Sequence, residues 1–341
     1  MTGIALRSTK VLGICAALAL AAARPAHADG TQLRIATLAP SGSPWMEVLD
    51  KGAAEVKDKS AGHLVLKYFE GGQQGDERDF VRKIKLGQLD GAAVTAVGLA
   101  MIDESIRVLE LPMMFESVEE LDYVADKLWP YFQKKFEKKG FKLNDRGEVG
   151  WVYFLSKAKV EKLDQLRGQK LWLWGDDQLV SAVFKKLNLN GVPLGVPEVD
   201  AALTSGKIDG AYNSPVGAVA LQWYTKVKFM TSMPMSFAIG ATVVSIDAMK
   251  KLSPEDAKLV EDVSRAYAKK LRKAIRKAND DAKGTMSRKG VEVVPTPPAM
   301  VDEFTKQATE VWEGLVGKIY SKDELKMVLD ARAEYRAKHK K

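Results

Sequence analysis

Two short segments of this chain occur twice, in the same order. Residues 87–92 (GQLDGA) are repeated as residues 206–211 (GKIDGA), and each copy follows a helix-like pattern of apolar residues. Further along, residues 111–115 (LPMMF) correspond to residues 233–237 (MPMSF). The two pairs of similar segments occur in the same order along the chain. An internal duplication explains this better than chance does. The chain is therefore expected to fold into two lobes of one design.

Each GxxDGA repeat carries signals for the end of a helix and the start of a strand. The first glycine, Gly87 or Gly206, suits the left-handed conformation that ends many helices. The small residues that follow the aspartate let a neighbouring backbone or a ligand approach closely.

The first part of the chain alternates between strand and helix patterns. The predicted elements are a strand at residues 33–38, a helix from the Ser43-Pro44 cap to Ser60, a strand at 63–69 and a helix at 76–86. Such alternation predicts an α/β fold in which helices cover a parallel sheet.

A long helix is predicted over residues 254–290. Ser253 is a typical helix cap, acidic residues fill the first turn, and apolar residues recur at spacings of three and four. At about 1.5 Å per residue this helix would run roughly 50 Å, which is long enough to brace both lobes. Two terminal helices are predicted at residues 300–317 and 323–338.

The first 28 residues are predicted to be a secretory signal. Basic residues precede an apolar run at 11–23, and an A-x-A pattern ends at Ala28, where cleavage is expected. The run is shorter than the roughly 20 residues of a transmembrane helix. The mature protein is therefore predicted to be exported and periplasmic. The single cysteine, Cys15, lies in the signal, so no disulfide or cysteine-ligated metal is expected.

The mature chain offers little material for catalysis. It has no P-loop, HExxH, GxSxG or GxGxxG motif, and its only histidines are His63 and His339. Two histidines are too few for a metal site based on histidine. They also leave almost no candidates for the histidine of a catalytic triad. The adjacent acids at 119–120 and 176–177 are expected to cap helices. We therefore expect a protein that is not an enzyme and has no cofactor.

Charge argues against a nucleic-acid partner. The formal charge of +8 falls to +5 once the signal, with its three basic residues, is removed. Much of the excess lies at residues 269–277 and 338–341, without the interleaved aromatic residues of a nucleic-acid surface.

Several motifs together resemble the solute-binding subunits of TRAP transporters, the DctP family. They are residues 33–38, 71–78 (GGQQGDER), 87–90 (GQLD), 111–115 (LPMMF), 166–170 (LRGQK) and 202–210 (ALTSGKIDG). The match covers nearly all of the mature chain, in order. The resemblance implies a type II periplasmic binding protein, with two lobes of parallel or mixed sheet joined by hinge strands and a helix that spans both lobes.

The same resemblance implies a domain division and partners. The expected division is a signal at 1–28, lobe I at 29–150 plus 241–253, lobe II at 151–240 plus 291–341, and the long helix at 254–290. The expected partners are a small-molecule solute and TRAP-type membrane permease subunits, and a periplasmic helper protein is compatible with the family.

The sequence departs from the family at the residues that bind the solute. Most members of the family that this sequence resembles have an arginine two residues after the lysine of the LxGxK segment. That arginine binds the solute carboxylate. Here that place holds Trp172, and a second family arginine is replaced by Val152. Asn213 matches a polar contact of the family.

An indole in place of a guanidinium should change the preferred solute. Arginine compensates a buried carboxylate by a forked contact, whereas tryptophan offers one donor and a large apolar face. We therefore expect a largely hydrophobic solute, lipid-like or aromatic. Trp172 and Trp174 should point the same way because they lie two apart on a strand. The candidate ligand-binding residues are Trp45, Met113, Met114, Phe115, Trp172, Trp174, Tyr212, Asn213, Trp223, Met235 and Phe237.

Two alternatives remain open at this point. The solute would be an organic acid if another cation, such as Arg78 or Lys170, grips its carboxylate. The protein would be an exported lipid carrier if it serves no permease.

Overall fold

The computed structural model describes residues 30–175 and 177–339. The predicted signal, with Cys15, and Asp176 lie outside the described residues. The strands are β1 (Thr31–Thr37), β2 (Leu64–Phe69), β3 (Gly91–Thr95), β4 (Phe141–Leu143), β5 (Gly147–Ser156), β6 (Lys170–Trp174), β7 (Asn190–Leu194), β8 (Gly210–Asn213), β9 (Phe229–Thr231), β10 (Ser236–Ser245) and β11 (Glu292–Val294).

Helices pack on both faces of the sheet. They are α1 (Pro44–Lys59), α2 (Glu77–Lys85), α3 (Ala96–Ala100), α4 (Val118–Lys138), α5 (Leu163–Arg167), α6 (Gln178–Leu187), α7 (Val199–Ser205), α8 (Pro215–Ala220), α9 (Ile246–Met249), α10 (Pro254–Arg288), α11 (Pro298–Gly314) and α12 (Lys322–Lys338). Among the residues that the structure describes, none of the helices combines the length and the apolar character that crossing a membrane requires.

The strands form one mixed sheet with two halves. Neighbouring strands are hydrogen-bonded in the order β2-β1-β3-β10-β5-β8-β6-β7. In addition, β4 pairs with β10, and β9 pairs with β5 and β11. The outer strands pair in parallel, whereas β5 and β10, each ten residues long, run antiparallel at the centre. We call the half with β1, β2 and β3 the first lobe and the half with β6, β7 and β8 the second lobe. The predicted α/β fold with two lobes and hinge strands is confirmed.

The GxxDGA repeats fold alike, down to individual hydrogen bonds. The Asp90 carboxylate accepts from the Arg34 backbone amide at 2.8 Å, and the Asp209 carboxylate accepts from the Lys170 amide at 2.9 Å. The Arg34 side chain donates to the Gly87 carbonyl at 2.8 Å, as that of Lys170 does to a glycine carbonyl at 2.7 Å. Duplication therefore accounts for both lobes.

The second glycine of each repeat is required by close strand pairing. A Cβ at Gly91 would lie 2.6 Å from the Val243 carbonyl oxygen, and one at Gly210 would lie 2.6 Å from the Leu155 carbonyl oxygen. Real Cβ atoms do not approach backbone oxygen so closely, so β3 and β8 both need glycine where they meet a hinge strand.

The other two similar segments, residues 111–115 and 233–237, have different conformations. Residues 233–237 lead into β10, whereas residues 111–115 form a turn in which Met113 has a φ of 56°. The two segments contact each other, because the Met113 amide donates to the Met235 carbonyl at 3.0 Å. Their sequence likeness therefore reflects two different structures.

The long helix α10 contacts both lobes near the hinge strands. Its 35 residues correspond to about 52 Å at 1.5 Å per residue, as expected. The Arg276 guanidinium bonds Glu148 and Asp122 at 2.8–2.9 Å. The Asn279 amide group donates to the Val149 carbonyl at 3.0 Å and accepts from the Val216 amide of α8 at 3.2 Å. The helix is therefore fixed to β5 and to the second lobe.

Candidate functional site

A cavity of about 240 Å³ lies at the centre of the molecule. The carboxyl ends of β1, β3, β6 and β8 border it with Thr37, Thr95, Trp174 and Asn213. In α/β folds, ligands bind at such strand ends because loops and helix starts converge there. The cavity walls are mostly apolar and come from both lobes.

Four aromatic rings form one wall of the cavity, which we call the aromatic wall: Trp172, Trp174, Tyr212 and Trp223. The Trp172 ring stacks on Tyr212 with centroids 4.7 Å apart and an interplanar angle of 22°. Trp223 meets Trp172 edge-on at 5.1 Å, and Trp174 lies 5.6 Å from it. As their spacing on the strand suggests, Trp172 and Trp174 lie side by side. The mutual contacts fix the ring orientations.

Three of the four indole N–H groups of this region are used within the protein, whereas Trp223 Nε1 donates to no described residue. Trp172 Nε1 donates to the Leu194 carbonyl at 2.9 Å, and Trp174 Nε1 donates to Asp76 Oδ2 at 3.0 Å. Trp45 Nε1, across the cavity, donates to the Glu148 carbonyl at 3.1 Å. These three tryptophans therefore present apolar ring surface to the cavity rather than hydrogen-bond donors.

Asp76 joins the two lobes beside the aromatic wall. Its Oδ1 accepts from the Glu77 amide at 2.8 Å and caps helix α2 of the first lobe. Its Oδ2 accepts from Trp174 and from the Val196 amide at 3.2 Å, both in the second lobe. A Cβ at Gly195 would lie 2.8 Å from this oxygen, so glycine makes the approach possible.

A buried ion cluster lies at the same boundary. Arg107, from the 3-10 helix Glu104–Glu110, pairs with Glu110 at 2.8 Å and with Asp177 of the second lobe at 2.8 Å. All three side chains are less than a tenth exposed. Asp177 also caps α6 by accepting from the Val180 amide at 3.0 Å, as the sequence predicts. The cluster therefore connects the lobes, and Arg107 Nε is left without a hydrogen-bond partner among the described residues.

Arg107 is the basic side chain that lines the cavity among the residues the structure describes, whereas several acids line it. The acids are Glu77, Glu110, Asp145, Glu148 and Asp177. Glu148 is itself paired with Arg146 and Arg276, and Arg107 has two acidic partners.

Two of these acids hold their protons more tightly than usual. Burial raises the pKa of Glu77 to about 8, although the carboxylate accepts hydrogen bonds from Thr95 and Gly98 that act in the opposite direction. Burial also raises the pKa of Glu110 to about 7, against the opposing charge of Arg107. Both groups are therefore expected to titrate near neutral pH.

Stability should fall as pH rises through this range. The unfolded glutamates titrate near about 4.3, so between that value and about 8 the folded chain binds more protons than the unfolded chain. The contribution is complete at low pH and is lost as pH passes the folded pKa values. We expect the melting temperature to fall by several degrees between pH 5.5 and pH 9. Glu110→Gln, which cannot ionise, should show a smaller fall, and an identical fall would contradict this assignment.

Seven of the eleven candidate ligand-binding residues line the cavity. They are Trp45, Trp172, Trp174, Tyr212, Asn213, Trp223 and Met235. The Asn213 Oδ1 accepts from the Ser214 amide at 2.8 Å, and its Nδ2 donates to no described residue. Asn213 is thus a polar donor placed at the cavity.

The other four candidates lie elsewhere. Met114 and Phe115 are buried in the main core, and half-buried Met113 packs against it, so the turn they form faces away from the cavity. Phe237 is also in the core, edge-on to Trp151 at 5.1 Å, because its neighbours Ser236 and Ala238 take the cavity side of β10. The expectation that these four residues line the pocket is wrong.

The cations considered for an acidic solute do not line the cavity. Lys170 is exposed and bonded to the Gly206 carbonyl at the far end of β6. Arg78 is exposed on α2. Val152, which is expected to replace the second family arginine, lines the cavity.

Sequence reasoning missed the ion cluster. Arg107 and Glu110 are two charges within the otherwise apolar run at 106–111, and a buried i, i+3 pair is the signal that was available. Nothing local pointed to the third member, Asp177, which lies 70 residues from Arg107. The described residues contain no group of three or more acidic, histidine or cysteine side chains arranged for a metal ion.

Comparison with known proteins gives consistent relatives. The family described as bacterial extracellular solute-binding protein, family 7, matches residues 35–323. The uncharacterized protein YiiZ of Salmonella typhimurium is 26% identical over 245 residues, covering 69% of this chain and 72% of that protein.

Two solved structures illustrate the fold. The sugar acid binding protein DctPAm from Advenella mimigardefordensis, in complex with galactonate, is 22% identical, with a TM-score of 0.85 over 90% of this chain and 99% of that one. A TRAP periplasmic solute binding protein from Sulfurospirillum deleyianum, with bound succinate, is 19% identical, with a TM-score of 0.81 over 87% and 98%.

Proposed function

The chain belongs to family 7 of the bacterial extracellular solute-binding proteins, the DctP family, and we propose that its solute is largely apolar, either lipid-like or aromatic. The solute binds between the lobes, against the aromatic wall, and is delivered from the periplasm to TRAP-type permease subunits in the membrane. The observation that carries this proposal is that Trp172, which we take to stand where the family has its arginine, lines the cavity.

The electrostatics of the cavity support an uncharged solute. A carboxylate taken from water into a closed cavity costs several kcal/mol unless a cation and hydrogen bonds compensate it. The cation at this cavity, Arg107, already pairs with Glu110 and Asp177. A solute anion would have to share this guanidinium with both of these acids.

The aromatic wall supplies the favourable contribution instead. Burial of apolar area contributes about 25 cal/mol per Å², and flat rings gain further from stacking. Three donors at the cavity have no partner among the described residues and could bind a polar atom of the solute: Asn213 Nδ2, Trp223 Nε1 and Arg107 Nε. This combination of a large apolar surface with one or two polar contacts is typical of sites for uncharged small molecules.

The structural relatives bind acids, which makes an organic acid the second candidate. Galactonate and succinate are bound to the Advenella and Sulfurospirillum proteins. Arg107 favours this candidate because it lines the cavity, in contrast to Arg78 and Lys170. Arg107 Nε has no partner among the described residues, so this donor is available to an acid.

Mass spectrometry of ligand released from the denatured protein, purified from its native host, tests the proposal. We expect a neutral lipid-like or aromatic compound. A small organic acid, bound again by the refolded protein with higher affinity than any neutral aromatic compound, would overturn the proposal. Loss of solute uptake on deletion of a neighbouring permease gene would separate a receptor from a carrier without a permease.

A further inference from the structure

We propose that the cavity continues from the aromatic wall into the first lobe as an inner chamber, and that this chamber holds the aliphatic tail of the solute. The inner chamber is the part lined by Leu33, Leu49, Leu66, Val260, Val263 and Ser264. This inference rests on the proposed apolar solute and deepens it, because it makes the solute an amphiphile with a compact head at the wall and an alkyl tail.

One face of β1 connects the two parts of the cavity. Leu33, Ile35 and Thr37 alternate along the strand, so they share a face, and all three line the cavity. Thr37 lies at the carboxyl end beside the cleft, whereas Leu33 lies four residues deeper in the lobe. On β2, Leu66 and Tyr68 repeat the arrangement. The free space therefore runs along the strands rather than ending at the cleft.

Two helices cover this face without filling the space. In α1, Val48 and Leu49 line the cavity and keep partial exposure, although they point inward from the helix. In α10, Val260, Val263 and Ser264 line it on the opposite side. Val48 and Leu49 follow Trp45 by three and four residues. Val263 and Ser264 follow Val260 by the same spacings, so each set lies on one face of its helix.

Small side chains explain why the chamber is open. Ala93, Ala238 and Thr242 lie on the two central strands β3 and β10, yet each keeps partial exposure because it borders the cavity. Ser264 is their counterpart on α10. Close packing is the rule in protein interiors, so a row of small residues opposite partly exposed leucine and valine marks space for a ligand.

The apolar core is divided by this space. Leu33, Val244, Val260 and Val263 belong to a first-lobe cluster that is separate from the main core, which includes Trp172. Members of both clusters line the cavity between them. An alkyl tail would restore the contacts that each side lacks, whereas water would find few polar partners there.

The volume limits the size of the occupant. A cavity of about 150 Å³ holds one benzene ring, so the 240 Å³ found here corresponds to about ten carbon atoms. With a six-membered ring at the aromatic wall, about four tail carbons would fit before the protein has to adjust.

A series of uncharged 4-alkylphenols, from phenol to 4-octylphenol, tests the inference by isothermal titration calorimetry. We expect affinity to rise about fourfold per added methylene. The rise should level off after about four carbons. In Ser264→Leu the leucine occupies the chamber, so phenol should bind as in the wild type while 4-butylphenol loses at least about tenfold in affinity. Ala266→Leu adds the same side chain on the exposed side of α10, so it is the matched control and should keep the wild-type profile.

The outcomes separate this inference from the proposed function. Binding of phenol without any gain from a longer tail would overturn the chamber alone, as would an unchanged profile in a Ser264→Leu protein with a wild-type melting temperature. Failure of every alkylphenol to bind would overturn the apolar solute, and the chamber with it.

Discussion

Replacing Arg107 by methionine is expected to lower the free energy of unfolding by about 3–5 kcal/mol, because it leaves buried acids without their cation. Glu110 and Asp177 both depend on this guanidinium and are less than a tenth exposed. Asp177 keeps its role as the cap of α6, so the helix itself should persist. Urea unfolding at pH 7.5 measures the loss.

The same substitution at an exposed ion pair is the control. Arg82 pairs with Asp79 at 3.1 Å on the surface of α2, and its side chain is 64% exposed. Arg82→Met should cost less than about 1 kcal/mol. A similar loss of stability in both variants would show that burial does not increase the contribution of the Arg107 cluster to the free energy of unfolding.

Replacing Trp172 by alanine is expected to lower both stability and ligand affinity. The ring is 2% exposed and contacts Trp174, Tyr212 and Trp223, so its removal opens a cavity at a cost of about 3–5 kcal/mol. Loss of the central ring of the wall should weaken binding of an apolar ligand by at least about 2 kcal/mol, or roughly thirtyfold. Fluorescence titration with the ligand identified by mass spectrometry measures the second effect.

Trp312 provides the matched control for the binding measurement. It is half-buried on α11, donates to the Pro112 carbonyl at 3.0 Å and does not line the cavity. Trp312→Ala should therefore lower stability and leave affinity unchanged. Equal affinity of the wild type and the Trp172→Ala protein, with both folded at the assay temperature, would exclude Trp172 from the solute site.

Local patterns accounted for much of the fold. The predicted strand at 33–38 and helix at 76–86 correspond to Thr31–Thr37 and Glu77–Lys85. Caps and periodicity are short-range signals, which is why they locate elements well. The GxxDGA repeat predicted more than single elements, because it implied two lobes. The hydrogen bonds of the two repeats are equivalent in the structure.

The candidate site was predictable only where strand geometry decides orientation. Trp172 and Trp174 share a side because strand residues two apart do so, and the position of their strand end places them at the cavity. The turn at 111–115 follows no such rule, and its orientation depends on tertiary packing. The inner chamber could not be predicted from the sequence either. It depends on gaps between the helices and the sheet, which no single segment encodes.

The double role of Asp76 bears on how fast the protein can capture its solute. One carboxylate oxygen begins helix α2 and the other meets Trp174 and Val196 of the opposite lobe. If solute entry requires the lobes to separate, the first bond would hold the side chain in place while the second oxygen returns to water. We therefore expect this contact to re-form on closure without a search over side-chain rotamers.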